Sequence, residues 1–353
     1  MKRKPDFERF RRAITTPEPA PVTIGDIYAD AETMSHYLGE AVERYGGTYI
    51  PGAVKFYTET GWDFCTSFSR LNFPGIAFGI TENTSEEVTD GHRGWLDDSQ
   101  GPISDWETFE NYQWPDDVQV VNSANREMAA LVPDGMKVMV IPGGVFEWTT
   151  WIMGMVPFSY ALSDQPDLVD ALIEKVADII YKGIEDLMEE PKIGGLFLGD
   201  DMGFNTGTFV SPVVLKEKFL PHLKRITDLV HSAGKVMVLH SCGNLESIMD
   251  DLCDMGIDAK HSFEDKIMPV EEAYERWGSR IGIIGGVDVN LLASGSEESV
   301  RKRTREILDR CAPTGRYVLG TGNSVTNYIP IKNYLAMLDE GKKWNKDHFG
   351  REF

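Results

Sequence analysis

The sequence predicts an α/β fold, a (β/α)8 TIM barrel with an elaborated N-terminal region. Three observations carry that expectation. From about residue 137, short apolar runs rich in β-branched residues alternate with longer segments of helical spacing. Each run is apolar nearly throughout, as in a parallel sheet covered by helices, where strands are buried on both faces. And no strand is followed by a dinucleotide-binding glycine pattern: Gly320-Thr321-Gly322 begins one, but Val325 ends it. A doubly wound sheet is therefore the lesser alternative. With no linker along the chain, 1–353 reads as a single barrel domain.

The N-terminal part, 1–136, is irregular and must carry the first strands. Its candidates are Val22–Ile27, Thr48–Val54 and Gly75–Ile80. The β/α units occupy 137–353. Their strand runs are Lys137–Val145, Gly194–Gly199, Lys235–His240, Ile257–His261, Arg280–Val287 and Arg316–Gly320. Six runs plus two or so of the earlier candidates make eight. Between them, Pro166 to Glu190 places Leu168, Leu172, Val176, Ile180, Ile184 and Leu187 on one helical stripe, with Ser163 or Asp164 as the cap. A second helix runs from Ser211 to Ala233, with Pro212 at its start and Gly234 just past its end. A third spans Ser296 to Cys311. Arg9, Arg11 and Arg12 suggest a short surface helix near the N-terminus.

Charge and cysteine content narrow the functional classes. The 353 residues hold 35 Lys and Arg against 56 Asp and Glu, a formal net charge of −21. A chain this acidic lacks the basic footprint that nucleic acid or an anionic membrane requires. No apolar run is long enough to span a bilayer, and the basic N-terminus lacks the apolar stretch of a secretory signal. Four cysteines in a chain of this size have little need of pairing; Cys65, Cys253 and Cys311 read as packing residues. Together these point to a cytoplasmic protein.

In a barrel, chemistry belongs at the C-terminal ends of the strands. The residues there are Glu147 and Trp148, then Asp200 and Asp201, His240 and Cys242, His261 and Glu264, Asp288, and Asn323. His240 and Cys242 are the sharpest pair, because residues i and i+2 of an extended stretch point the same way. Glu264 follows Cys242 by 22 residues, at the end of the next strand. Neighbouring strands lie about 4.8 Å apart, so all three could reach one ion. Imidazole, thiolate and carboxylate with an open fourth position suit catalytic Zn²⁺. Plainer readings stand beside these. Cys242 could be a small buried residue, Asp200 and Asp201 helix caps, Asp288 a bond to loop amides, Asn323 a turn residue, His261 a hydrogen-bonded core residue and Trp148 part of the core.

The segments GGVFEWTTWIMG, LGDDMGF, VLHSCGN, GIIGGVDV and YVLGTGNSV resemble the uroporphyrinogen decarboxylase superfamily over most of the chain, best from Val138 to Trp344. That resemblance implies a (β/α)8 barrel. The decarboxylases carry R-Q-A-G-R near the N-terminus and G-H-G near the C-terminus. This chain has no R-Q-A-G-R and reads Gly320-Thr321-Gly322 at the second place. It is therefore more similar to the zinc and corrinoid methyltransferase branch, whose H-x-C matches His240 and Cys242. The branch's later Cys would fall near Thr321 and is absent, while Glu264 sits at a spacing similar to a zinc-ligand glutamate of cobalamin-independent methionine synthase.

The resemblance implies His240, Cys242 and Glu264 as metal ligands. It also implies a partner protein carrying a corrinoid, and it is compatible with a homodimer. The leading expectation is methyl transfer from a methylated small molecule, a methoxylated aromatic among the donors, to that corrinoid. Glu147, Asp200, Asp201 and Asp288 would be the catalytic carboxylates, with Trp148, His261 and Asn323 touching substrate. The alternatives are a metal-free decarboxylase of a porphyrinogen-like or other carboxylic acid, and a binding protein that has lost the chemistry.

Overall fold

The computed structural model describes residues 4–44, 46–76, 78–82, 92–96, 99–115 and 117–350. Eight parallel strands form the barrel: β1 (Thr23–Ile24), β2 (Phe64–Phe68), β3 (Lys137–Ile141), β4 (Ile193–Gly199), β5 (Val236–His240), β6 (Ala259–His261), β7 (Gly282–Ile284) and β8 (Tyr317–Leu319). Spatial order follows chain order, and β8 returns to pair with β1. Between β1 and β2 no ladder pairing links the described residues; there the Phe64 ring packs beside Gly25, where a Cβ would come within 2.8 Å of it. The continuous apolar runs are explained by burial on both faces; all seven residues of β4 are buried.

The helical stripes cover the outside of the sheet. The helix Pro166–Glu185 buries Leu168, Leu172, Val176, Ile180 and Ile184. It begins at Pro166, as the sequence suggests, but with a different cap. Residues Met155–Asp164 form a helix of their own, so Ser163 and Asp164 end that helix, and Gln165 is the cap of the next, with no side-chain bond. The second helix is interrupted: Ser211 accepts from the Val214 amide, a π-helical turn occupies Leu215–Phe219, and regular helix resumes over Leu220–Ser232. Ser296 caps Glu297–Cys311 as expected.

The N-terminal third departs most from its sequence pattern. Thr48–Val54 is not a strand. Helix Tyr49–Thr60 runs there, burying Ile50, Ala53, Phe56 and Tyr57 at helical spacing, and its tertiary packing overrides the β-prone YIP start. The second barrel strand is instead Phe64–Phe68, where Thr66 and Ser67 break the apolar pattern. The candidate Gly75–Ile80 includes position 77, which lies outside the described residues. Beyond it, Phe78–Glu82 pairs antiparallel with His92–Leu96, apart from the barrel.

The N-terminal helix Phe7–Thr15 does more than lie on the surface. It seals the barrel's lower end, burying Phe7, Phe10 and Ile14. The Phe7 ring occupies the space beside Gly194. Buried Asp63, just before β2, anchors the helix: it accepts from the Asp6 amide at 2.9 Å and from Arg9 Nη2 at 3.1 Å and Nε at 3.2 Å. Removing one partner of such a network strands the others. Asp63→Ala is expected to lower unfolding free energy by about 2–3 kcal/mol in chemical denaturation. Arg9→Ala, at a partly exposed position, should cost less than about 1 kcal/mol.

Candidate metal centre at the C-terminal rim

Parallel register sets the centre. Gly199, His240 and His261 are aligned side by side at the ends of β4, β5 and β6. Gly199 contributes no side chain to this row, which leaves space in front of His240. Beyond β4 the chain continues into Asp200 and Asp201, and beyond β5 into Ser241 and Cys242. The loop after β5 then crosses close to the short strand Gly203–Phe204. Gly243 has φ +82°, and a Cβ there would lie 2.2 Å from the Gly203 carbonyl carbon, so this crossing needs glycine.

Among the described residues, the cluster of three or more potential metal ligands is Asp201, His240 and Cys242, whose ligand atoms all lie within 4.8 Å of one another. His240 Nε2 is 3.4 Å from Cys242 Sγ and 3.6 Å from Asp201 Oδ1. A tetrahedral zinc site with ordinary Zn–N, Zn–O and Zn–S bonds has ligand–ligand edges of roughly 3.3–3.6 Å. The residues therefore fit zinc. Asp201 Oδ1 also accepts from the Cys242 amide at 2.7 Å, and Asn323 Nδ2 donates to Cys242 Sγ at 3.2 Å. The Asn323 contact suits a sulfur that carries charge.

Electrostatics favour a cation here. Burial holds the Glu147 carboxyl well above the usual carboxylate range, and neighbouring Asp201 and Asp200 add to it. Burial pushes Asp200 up to about 7. Burial, then Asp201, holds the Cys242 thiol far up, and burial keeps His240 neutral by lowering it. Crowded acids, a protonated thiol and an unprotonated imidazole are what a divalent ion would relieve.

The sequence-chosen residues are distributed unevenly around this centre. Glu264 is not part of the cluster. It lies half-buried with Gly243, Lys260, Ser262 and Met268 around a separate small cleft, and Asp201 takes the place proposed for it. Glu264 is the third residue of the loop 262–269 after a short β6, past the rim, where strand spacing no longer governs position. Asp288 caps the helix Val289–Ser294, accepting from the Leu291 amide at 3.0 Å. Asp200 is buried and caps the helix Val145–Met153 through the Phe146 and Glu147 amides; a Cβ at Gly144 would collide with its carboxyl group. His261 is fully buried behind His240, out of reach of a substrate. Glu147, Trp148, Asp201, His240, Cys242 and Asn323 all line one cavity of about 940 Å³.

That cavity has walls the sequence did not single out. Tyr28, Phe68 and Trp151 add to Trp148, and Arg44, Tyr49, Arg70 and Leu71 also stand in the lining. Two buried polar residues were also missed. Asp26 lies just beyond β1, where a carboxylate inside an apolar run was the available signal. Lys260 on β6 is pushed down to about 8 by burial, and its Nζ donates to the carbonyls of Ser241, His261 and Ser262. It thereby ties the ends of β5 and β6 together around Ser262, a non-glycine residue at φ +83°.

Fold and rim together define a class: a (β/α)8 barrel with a candidate three-ligand metal centre opening into an aromatic-walled cavity. The uroporphyrinogen decarboxylase (URO-D) family pattern matches residues 53–344, and the chain belongs to that family. Its relatives include uroporphyrinogen decarboxylase of Prochlorococcus marinus (strain MIT 9215), 27% identical over 125 residues, or 35% of each chain. They also include the methylcobamide:CoM methyltransferase MtaA of Methanosarcina barkeri (strain Fusaro / DSM 804), 25% identical over 170 residues, 48% of this chain and 42% of the relative. The matches thus span well under half of these curated relatives' length. In fold, a methyltransferase from Methanosarcina mazei superposes with a TM-score of 0.72 at 16% identity, over 95% of this chain and 98% of the other. No helix among the described residues is long and apolar enough to cross a membrane.

The geometry predicts which carboxylate matters for metal. In equilibrium dialysis with zinc, Asp201→Asn, His240→Ala and Cys242→Ala should each weaken binding by about 100-fold or more, whereas Glu264→Gln should bind one equivalent like the parent chain. The opposite order for Asp201 and Glu264 would restore the sequence-based ligand set.

Proposed function

We propose that this chain is a zinc-dependent methyltransferase. It moves a methyl group from a methylated small molecule, a methoxylated aromatic being the favoured class, to a corrinoid carried by a partner protein. The observation that carries this reading is the Asp201–His240–Cys242 cluster at the floor of a cavity walled by Tyr28, Phe68, Trp148 and Trp151. Aromatic walls suit a flat ring, and the cavity's size is that of a small-molecule site. Family membership and the methyltransferase among the relatives support the reaction class.

Zinc bound at this cluster would supply Lewis acidity to the ether oxygen as its bond to methyl breaks. The chain's own residues do the rest. Asn323 holds the Cys242 sulfur in place. Trp148, fixed by its Nε1 bond to the Pro142 carbonyl and its tilted contact with Phe73 at 4.7 Å, forms a rigid face for the ring. Glu147 keeps a proton in the cavity wall and is placed to deliver it to the oxygen that leaves. The C–O electron pair stays on oxygen, which takes that proton, while the reduced cobalt(I) corrinoid of the partner would supply the electron pair for the new bond to methyl.

A second reading has one observation in its favour. Arg44 and Arg70 in the cavity lining suit a carboxylated substrate, and a decarboxylase stands among the relatives. The two readings separate in one assay. Zinc-loaded protein is mixed with cob(I)alamin and a panel of methoxybenzoates, and methylcobalamin is followed by absorbance. Methylation should appear, vanish in Cys242→Ala, and fall about 100-fold in kcat for Glu147→Gln. Carbon dioxide release without corrinoid, and no methylation, would establish the decarboxylase instead.

A further inference from the structure

A line of buried polar groups crosses the barrel interior from β1 to β5. His261 Nδ1 lies 2.8 Å from His240 Nδ1, and His261 Nε2 lies 3.3 Å from Asp26 Oδ1. Asp26 is 1% exposed and His261 fully buried, so no substrate touches either. Neither residue has a part in the proposed methyl transfer. Yet buried ionisable groups are costly to keep unless they hold something in place.

Proton positions along the line follow from the neighbours. Asp26 Oδ1 accepts from the Thr321 amide at 2.8 Å and from Thr321 Oγ1 at 3.1 Å, so it acts as an acceptor whether or not the carboxyl is ionised. The Nε2 atom makes no well-aligned bond, but it faces the Asp26 carboxyl oxygen. A bare lone pair there would oppose the lone pairs of a carboxyl oxygen. His261 Nε2 therefore carries the proton. Only one proton fits in the 2.8 Å gap between the two Nδ1 atoms, and on His261 it would be the second proton of a fully buried ring, so His261 Nδ1 accepts. The proton between the rings then belongs to His240 Nδ1. The free lone pair of His240 is left on Nε2, the atom that faces Cys242 Sγ and Asp201 Oδ1.

We infer that Asp26 and His261 are positioning residues that lock His240 in the tautomer with its proton on Nδ1, presenting Nε2 to the Asp201–Cys242 cluster. The ring orientation is set by the same chain, through the tilted contact of His240 with His261 at 5.0 Å and the edge contact of His261 with Phe197. Its functional meaning rests on the metal-centre reading, since a metal-bound imidazole needs one nitrogen bare and the other held by an outer partner. The tautomer itself does not.

The experiment has two readouts. Long-range ¹H–¹⁵N spectra of chelator-treated protein labelled at its seven histidines report the tautomer of each ring; His240 is assigned by its loss in His240→Gln. A protonated Nδ1 and unprotonated Nε2 at His240 are expected. A proton on Nε2, or an averaged mixture, would overturn the inference. Zinc affinity is then read by competition with a chromophoric chelator. His261→Leu should weaken zinc about 10–100-fold. His261→Asn, whose Oδ1 can accept near the former Nδ1, should recover most of it. A folded His261→Leu with the parent's affinity and unchanged His240 tautomer would also overturn the inference. A parent chain that binds no zinc would sink the metal reading while the spectra still decide the tautomer.

Discussion

The in-register pairing of β4, β5 and β6 is the constraint from which the site follows. Because the strands are parallel and unshifted, their C-terminal residues Gly199, His240 and His261 share one level. A glycine on one side of His240 opens the cavity; a histidine on the other gives it a buried hydrogen-bond partner. The residues immediately past this level, Asp201 and Cys242, are then close enough to share an ion with His240. Moving β5 by one residue would turn His240 outward and dissolve the arrangement.

The rim spends its carboxylates on two different tasks. Asp200 and Asp288 are used up by helix N-termini, where backbone amides satisfy them. Asp201 and Glu147 face the cavity, where burial holds the Glu147 carboxyl above its usual range. Adjacent residues thus part company: Asp200 turns toward the helix that follows β3, Asp201 toward Cys242. Lys260 supports the division from below, neutralising carbonyls at the ends of β5 and β6 so that the turn at Ser262 can hold a positive φ. The strained turn, in turn, brings the Ser262 hydroxyl within 3.6 Å of Cys242 Sγ.

The N-terminal third completes the cavity. Helix Phe7–Thr15 closes the opposite end of the barrel, and the chain from Ile27 to Leu71 walls the mouth with Tyr28, Tyr49 and Phe68. This division of labour explains why residues 1–136 lack regular β/α units. They serve the barrel at both of its ends, while 137–353 supply six of its strands.

What the sequence determined by itself were the properties set by local periodicity. Continuous apolar runs fixed six strands and the barrel class, and the alternation of side chains along a strand joined His240 to Cys242. The strand Phe64–Phe68 and the helix Tyr49–Thr60 were illegible because their residues are chosen for packing against distant partners, not for local propensity. The tertiary structure alone decided which carboxylate joins the cluster. Glu264 was placed by strand spacing, but β6 ends at His261 and the loop carries Glu264 into another cleft. Asp201 was selected by the hydrogen bond its carboxylate accepts from the Cys242 amide. Asp26, more than two hundred residues from His261 in the chain, became its neighbour only because β8 closes on β1. Contacts across a closed barrel depend on register and closure, and neither is written in the spacing of any one segment.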